Sequence, residues 1–382
     1  MTIYAYRTLF KNGQLIRSWH RRTRSAIIQI MKRLTGACIG LGVAVAVAEL
    51  VARLVLAVPA VSDRLSQGGS YARLIGQLER YGSRGRGSAD WDYASQLEPH
   101  PRWGWVTRPG TFSFGFHSPT ITTNAQRLRA RRVYDLVKPP GLTRIEVFGD
   151  SFAYGAEVGD DDPFAARLER EGDHLEALNF GVPGYGLDQV YLRFQDDGRR
   201  YNPDIVVINL LQLLLMRAAT KFGTWYKPYF TRAGGELTLH GVPVPSPDEA
   251  YVSFLYGPRL LDLFRLASDS DEKLGYDEGL NELLLAKLGR EIRAAGARAV
   301  VVLATAQDGL NGGGGHSDVA ALASAVCARE HLECLDVFPA FERAATAGTP
   351  LLAGVHWNGA GHEIVTQAIL RHLREHPSAP MR

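Results

Sequence analysis

Ser151 is the residue best placed to do chemistry. It stands in Gly149-Asp150-Ser151-Phe152, directly after the apolar run Ile145-Glu146-Val147-Phe148. A short β-type run that ends in Gly-Asp-Ser sets a hydroxyl at the carboxyl end of a strand, where open α/β sheets bind their ligands. Far along the chain stands His356, in Val355-His356-Trp357-Asn358-Gly359-Ala360-Gly361-His362. A serine hydroxyl is a weak nucleophile until a base takes its proton, and histidine is the most frequent such base. His362 reads as a hydrogen-bonding group at the start of the last helix, and Trp357 as core or pocket wall. The eleven histidines show no paired ligand spacing with acids or cysteines, so neither metal nor cofactor is expected.

Strand and helix signals alternate around these two residues. Strands are expected at 144–148, 175–180, 205–211, 299–304 and 334–337. Helices are expected at 163–170, 187–200, 279–295, 318–330 and from about Gly361 to Glu375. Such alternation implies a parallel sheet covered on both faces. Between 217 and 271 the alternation breaks for an insertion. It contains a hairpin (Pro228-Tyr229-Phe230 against Glu236-Leu237-Thr238-Leu239) and a Pro-rich Val242-Pro243-Val244-Pro245. The Gly312–Gly315 run is a loop. No Lys-Ser/Thr follows it, as a phosphate cradle would need.

The bulk numbers fit a folded domain with a sizeable core: 382 residues, 46% hydrophobic and 22% charged. The formal charge is +3, but eight cations and no acid precede Glu49, and without those eight the rest carries −5. The main body therefore has no basic character to suggest a nucleic-acid partner. Residues 34–48 carry no charge, and the apolar run resumes past Glu49 and Arg53, so a helix over 34–56 is long enough to cross a bilayer. Glu49 and Arg53, four apart, can pair on one helix face. The basic flank at Lys32-Arg33 orients the N-terminus to the cytoplasm and the body to the periplasm or exterior. Cys38 lies in this apolar segment. Cys327 and Cys334 are expected as buried free thiols, with a short local disulfide as the alternative.

Three blocks taken together resemble the SGNH/GDSL hydrolase family: Gly149-Asp150-Ser151-Phe152, then Asn179-Phe180-Gly181-Val182-Pro183-Gly184-Tyr185-Gly186, then His356-Trp357-Asn358-Gly359-Ala360-Gly361-His362. The resemblance extends over roughly residues 99–373. It implies a flavodoxin-like three-layer α/β/α sandwich with a parallel sheet, here preceded by one transmembrane helix. It also implies an acyl-ester substrate, with Ser151 as nucleophile, His356 as base, and the Ser151 and Gly184 N–H groups as oxyanion donors. Two departures from the family pattern stand out. The aspartate expected two or three residues before the histidine is replaced by Gly354 and Ala353, and losing that acid costs about 10⁴-fold in turnover in other serine hydrolases. Asp336, on the preceding strand, is no evident substitute. The block III asparagine is also missing: Gln212 is the candidate amide donor, and Asn209 reads as a residue inside the sheet or at its edge.

The expected organisation is a basic tail (1–33), a signal-anchor (34–56), a juxtamembrane linker (57–98), a small β-rich lead-in (99–140) and the hydrolase domain (141–376, insertion 217–271). The expected function is an inner-membrane, single-pass esterase with its catalytic domain in the periplasm. It would act on O-acyl groups, those of envelope or secreted polysaccharide being the natural candidates, through a Ser151–His356 dyad. The alternatives are an O-acyltransferase, or a degenerate domain that binds a glycan or partner without turnover.

Overall fold

The structure, a computed structural model, describes residues 2–65, 70–83, 96–113, 119–268, 276–305 and 315–377. Residues 312–314 of the expected Gly312–Gly315 loop, and residues 66–69 and 84–95 of the expected linker, lie outside these residues. The chain divides into two compact units, Met1–Val61 with Gly257–Ser268, and Ser62–Tyr256 with Asp269–Arg382.

In chain order the first elements are α1 (Thr2–Leu56), α2 (Pro59–Leu65), α3 (Ser70–Ser83), β1 (Leu97–His100), β2 (Gly104–Thr107), β3 (Gly110–Phe112) and β4 (Ile121–Thr123). The sheet domain opens with β5 (Thr143–Phe148), α4 (Ser151–Tyr154), α5 (Phe164–Glu171), β6 (Leu175–Asn179), α6 (Leu187–Asp196), β7 (Ile205–Leu210) and α7 (Gln212–Ala218). The insertion contributes β8 (Tyr229–Ala233), β9 (Glu236–His240), α8 (Pro247–Tyr256) and α9 (Arg259–Ser268). The chain closes with α10 (Glu278–Ala294), β10 (Arg298–Leu303), α11 (Gly315–Glu330), β11 (Glu333–Asp336), α12 (Phe338–Thr346), β12 (Leu352–Ala353), β13 (His356–Trp357) and α13 (Gly359–Glu375).

Within the first unit, α1 contains a stretch, Ile27–Leu56, long enough to cross a membrane, with an 18-residue window of mean hydropathy 2.2. Ile39, Leu41, Val43, Val45 and Val47 are all at least half exposed along it. Glu49 and Arg53 do pair, at 2.9 Å, and together they hold α9. The Glu49 carboxylate accepts from the N–H groups of Arg259 (2.8 Å) and Leu260 (2.9 Å), and Arg53 donates to the Gly257 carbonyl (2.8 Å). A carboxylate on the free N–H groups of a helix start satisfies donors that have no partner inside the helix.

The second unit is built on a five-stranded parallel sheet in the order β11-β10-β7-β5-β6. Counted along the chain this is 2-1-3-4-5, the flavodoxin-like order, and its direction reverses between β5 and β7. All six residues of β7 are buried, which is why its sequence, Ile-Val-Val-Ile-Asn-Leu, does not alternate. One face packs on α5, α12 and α13 through Val147, Val207, Val302, Phe164, Phe341, Val365 and Ile369. On the other, α6, α10 and α11 cover the sheet, with Phe148 stacked on Phe180 at 4.7 Å. This is the three-layer α/β/α sandwich expected from the sequence.

Cys327 and Cys334 form a disulfide, so the expectation of two free thiols is corrected. Cys327 sits near the end of α11 and Cys334 on β11, seven residues apart. The tight turn between them returns the chain from helix to edge strand and sets their Cα atoms 6.1 Å apart, within bridging reach. Helices α8, α9 and α12 were not anticipated. The prolines at 243 and 245 masked the helical pattern after them, whereas Pro339 opens α12 at a position helices favour.

Candidate active site

The Gly-Asp-Ser turn is built by Asp150. It caps α4, its Oδ1 accepting from the Phe152 N–H at 3.0 Å, while its Oδ2 pairs with Arg217 of α7 at 2.8 Å. Asp150 is fully buried, so the pair with Arg217 offsets the cost of removing its charge from water. The cap sets Ser151 as the first residue of α4, at the carboxyl edge of β5 and beside the strand-order reversal.

His356 arrives on a two-stranded hairpin. Ala353 of β12 pairs with His356 of β13, and Leu352 with Trp357. Trp357 is the hairpin's anchor. Fully buried, it donates from Nε1 to the Thr305 carbonyl at 2.9 Å and packs against Phe152 and Phe341. Asn358 then caps α13 by accepting from the N–H groups of Ala360 and Gly361. With the hairpin fixed below and the Phe152 ring 5.0 Å from the imidazole, His356 Nε2 lies 2.8 Å from Ser151 Oγ. Both residues are 5% exposed, shielded but not sealed. That is hydrogen-bond distance between a hydroxyl and an imidazole, brought together across 205 residues of chain.

The second block lies against the same turn. Phe180 N–H donates to Val147 O and Val182 N–H to Gly149 O, at 2.8 and 3.1 Å. Trp105 of β2 donates to the Pro183 carbonyl at 2.9 Å. Because the peptide is planar and trans, the Gly184 N–H on the same unit points away from Trp105. Gly184 has φ +83°, and a Cβ there would sit 2.6 Å from Thr224 Oγ1, so the position demands glycine. Among the described residues neither the Ser151 nor the Gly184 amide donates to a protein acceptor.

The remaining expected residues fall as follows. Gln212 is the exposed first residue of α7, and its amide makes no hydrogen bond among the described residues. Asn209 is fully buried within β7, with both side-chain polar atoms lacking a partner among the described residues. Asp336 accepts from the Phe338 N–H at 2.9 Å, a capping role at the start of α12. His362 is buried on α13, its Nδ1 accepting from the Phe164 N–H that begins α5. Burial pushes its pKa down to about 3, so it is neutral and structural. Among the described residues no three His, Cys, Asp or Glu side chains converge as metal ligands would.

One residue beside the imidazole was not found by sequence reasoning. Glu157 Oε1 lies 3.3 Å from His356 Nδ1. The two atoms are within ion-pair range, yet the angle falls short of a formed hydrogen bond, and Nδ1 is otherwise buried without a partner among the described residues. The only sequence signal is an acid six residues after Ser151, which by itself is no motif.

No family model matches the chain, and no curated protein does. Solved structures similar to it include a lipase/acylhydrolase from Enterococcus faecalis (16% identity, 63% of this chain and 100% of that one, TM-score 0.40). Another is a member of the lipolytic protein G-D-S-L family from Veillonella parvula (14%, 60% and 97%, TM-score 0.38). A third is a catalytic mutant of Axe2, an acetylxylan esterase from Geobacillus stearothermophilus (14%, 60% and 94%, TM-score 0.39). Likenesses this distant assign no residue and no activity to the present chain.

Proposed function

We propose that this chain is a membrane-anchored serine esterase of the SGNH/GDSL type, with Ser151 as nucleophile and His356 as general base. The observation that carries the reading is the 2.8 Å contact of Ser151 Oγ with His356 Nε2 at the carboxyl edge of the sheet. With the imidazole proton on Nδ1, Nε2 accepts the hydroxyl proton as Oγ attacks the ester carbonyl. The carbonyl becomes an oxyanion facing the unpartnered N–H groups of Ser151 and Gly184. The protonated imidazole then gives its proton to the leaving alcohol as the C–O bond breaks, and Ser151 holds the acyl group. A water, deprotonated by the same nitrogen, releases the acid and regenerates the hydroxyl. An alcohol in place of that water would make the protein a transferase.

The anchor reading rests on the exposed apolar length of α1, whose side chains would otherwise stand in water. The Cys327–Cys334 disulfide supports an oxidising compartment for the sheet domain. O-acyl groups of envelope or secreted polysaccharide are the esters such a tethered domain would meet. The test is release of acetate from acetylated phenols and acetylated oligosaccharides by the full-length protein. Turnover that disappears in Ser151→Ala and His356→Ala supports the reading. Turnover that survives Ser151→Ala overturns it.

A further inference from the structure

We propose that Glu157 is the positioning acid of this site, doing from behind the nucleophile what an acid two or three residues before the histidine would otherwise do. The inference rests on the esterase reading above. The chemical need is clear. For Nε2 to accept the Ser151 proton, the imidazole must carry its own proton on Nδ1 and hold one ring orientation. A carboxylate at Nδ1 fixes both and stabilises the imidazolium as it forms. At the hairpin position directly opposite His356 stands Ala353, which has nothing to offer Nδ1.

Four observations place Glu157 in that role. Its Oε1 is 3.3 Å from Nδ1, and its Oε2 accepts from the His356 backbone N–H at 3.4 Å, so one carboxylate lies beside both the ring nitrogen and the backbone amide of the residue. Such contacts are often loose before substrate binds and tighten in the reacting complex. The facing hairpin is shaped around it. Gly354 has φ +65°, and a Cβ there would lie 2.8 Å from Glu157 Oε2 and 3.1 Å from Oε1. The glycine in place of an acid is thus the space the relocated carboxylate fills.

The backbone of Glu157 is itself unusual, with φ +69°, a left-handed conformation that side chains disfavour and that recurs at functional sites. It is fixed by the same short helix that fixes the nucleophile. Gly155 and Ala156 N–H groups both return to the Ser151 carbonyl at 3.0 Å, and the next residue, Val158, accepts from the buried Arg129 at 3.0 Å. Ser151 and Glu157 therefore flank the two ring nitrogens of His356 from a single rigid turn.

The experiment measures acetyl-ester turnover for wild type, Ser151→Ala, Glu157→Gln, Glu157→Ala and the double variant Glu157→Ala/Ala353→Asp. Melting temperatures and the downfield proton NMR signal of an imidazole Nδ1–H are recorded for each. Glu157→Gln should lower kcat by about 10²- to 10⁴-fold while KM stays within about threefold, and the downfield signal should vanish. Ala353→Asp, placed across the hairpin from the imidazole, should recover at least about tenfold of the kcat lost in Glu157→Ala. That rescue separates positioning from a general structural defect. Wild-type kcat in a folded Glu157→Gln, with Ser151→Ala inactive, overturns the role of Glu157 and leaves the esterase reading standing. A wild type no faster than Ser151→Ala overturns both.

Discussion

Glu146 shows how far single residues in this sheet depart from what their types suggest. Fully buried on β5, it has neither carboxyl oxygen hydrogen-bonded among the described residues. Burial, reinforced by nearby Asp197, pushes its pKa well above the usual 4.5. The folded chain therefore keeps a proton that the unfolded chain gives up above about pH 4.5. Its contribution to stability is full below that pH and declines as pH rises toward the folded value. Glu146→Gln removes the dependence, so the variant should melt above wild type at pH 8 and match it at pH 4. Thermal melts at the two pH values check this. His362 works in the opposite direction: its folded pKa near 3 lies below the ordinary 6.5, so its share of stability is full above 6.5 and is lost as pH falls toward 3. At this scale Ser151, His356 and Gly184 were candidates because each sits in a local pattern. Glu157 was not, because its partner is 199 residues away and its reach depends on two left-handed backbone positions, its own and that of Gly354.

Among the elements, the five strands were readable because buried parallel strands leave continuous apolar runs, with β7 the clearest case. The β12–β13 hairpin was not, since four paired residues in a loop carry no periodicity. Yet this hairpin carries His356, the proposed base, and the loop after β6 carries Gly184, the proposed second oxyanion donor. That loop tolerates little. Gly184→Ala would oppose the φ of +83° and drive a methyl group toward Thr224 Oγ1. The peptide must rotate, taking its N–H off the oxyanion. Turnover should fall about 10²- to 10³-fold in protein that still folds, as expected for the loss of one donor, with the melting temperature lowered by the backbone strain. An unchanged kcat would remove Gly184 from the site.

For the molecule as a whole, charge and hydropathy already separated a basic, apolar N-terminal segment from a mildly acidic folded body. The cysteines were misread because composition cannot tell a buried thiol from a thiol facing another across a turn. Alkylation of the denatured, unreduced protein should modify Cys38 alone, and alkylation after reduction should modify all three cysteines. Mass spectrometry of protein from its native compartment reads the difference. Three modified cysteines without reduction would argue against an oxidising location for the sheet domain.

The most direct measurement is reaction of the full-length protein with a fluorophosphonate, followed by peptide mapping. A covalent adduct should form on Ser151, be absent in Ser151→Ala and form far more slowly in His356→Ala. A folded protein that hydrolyses acetyl esters while its adduct maps elsewhere, or that never acquires one, would contradict it.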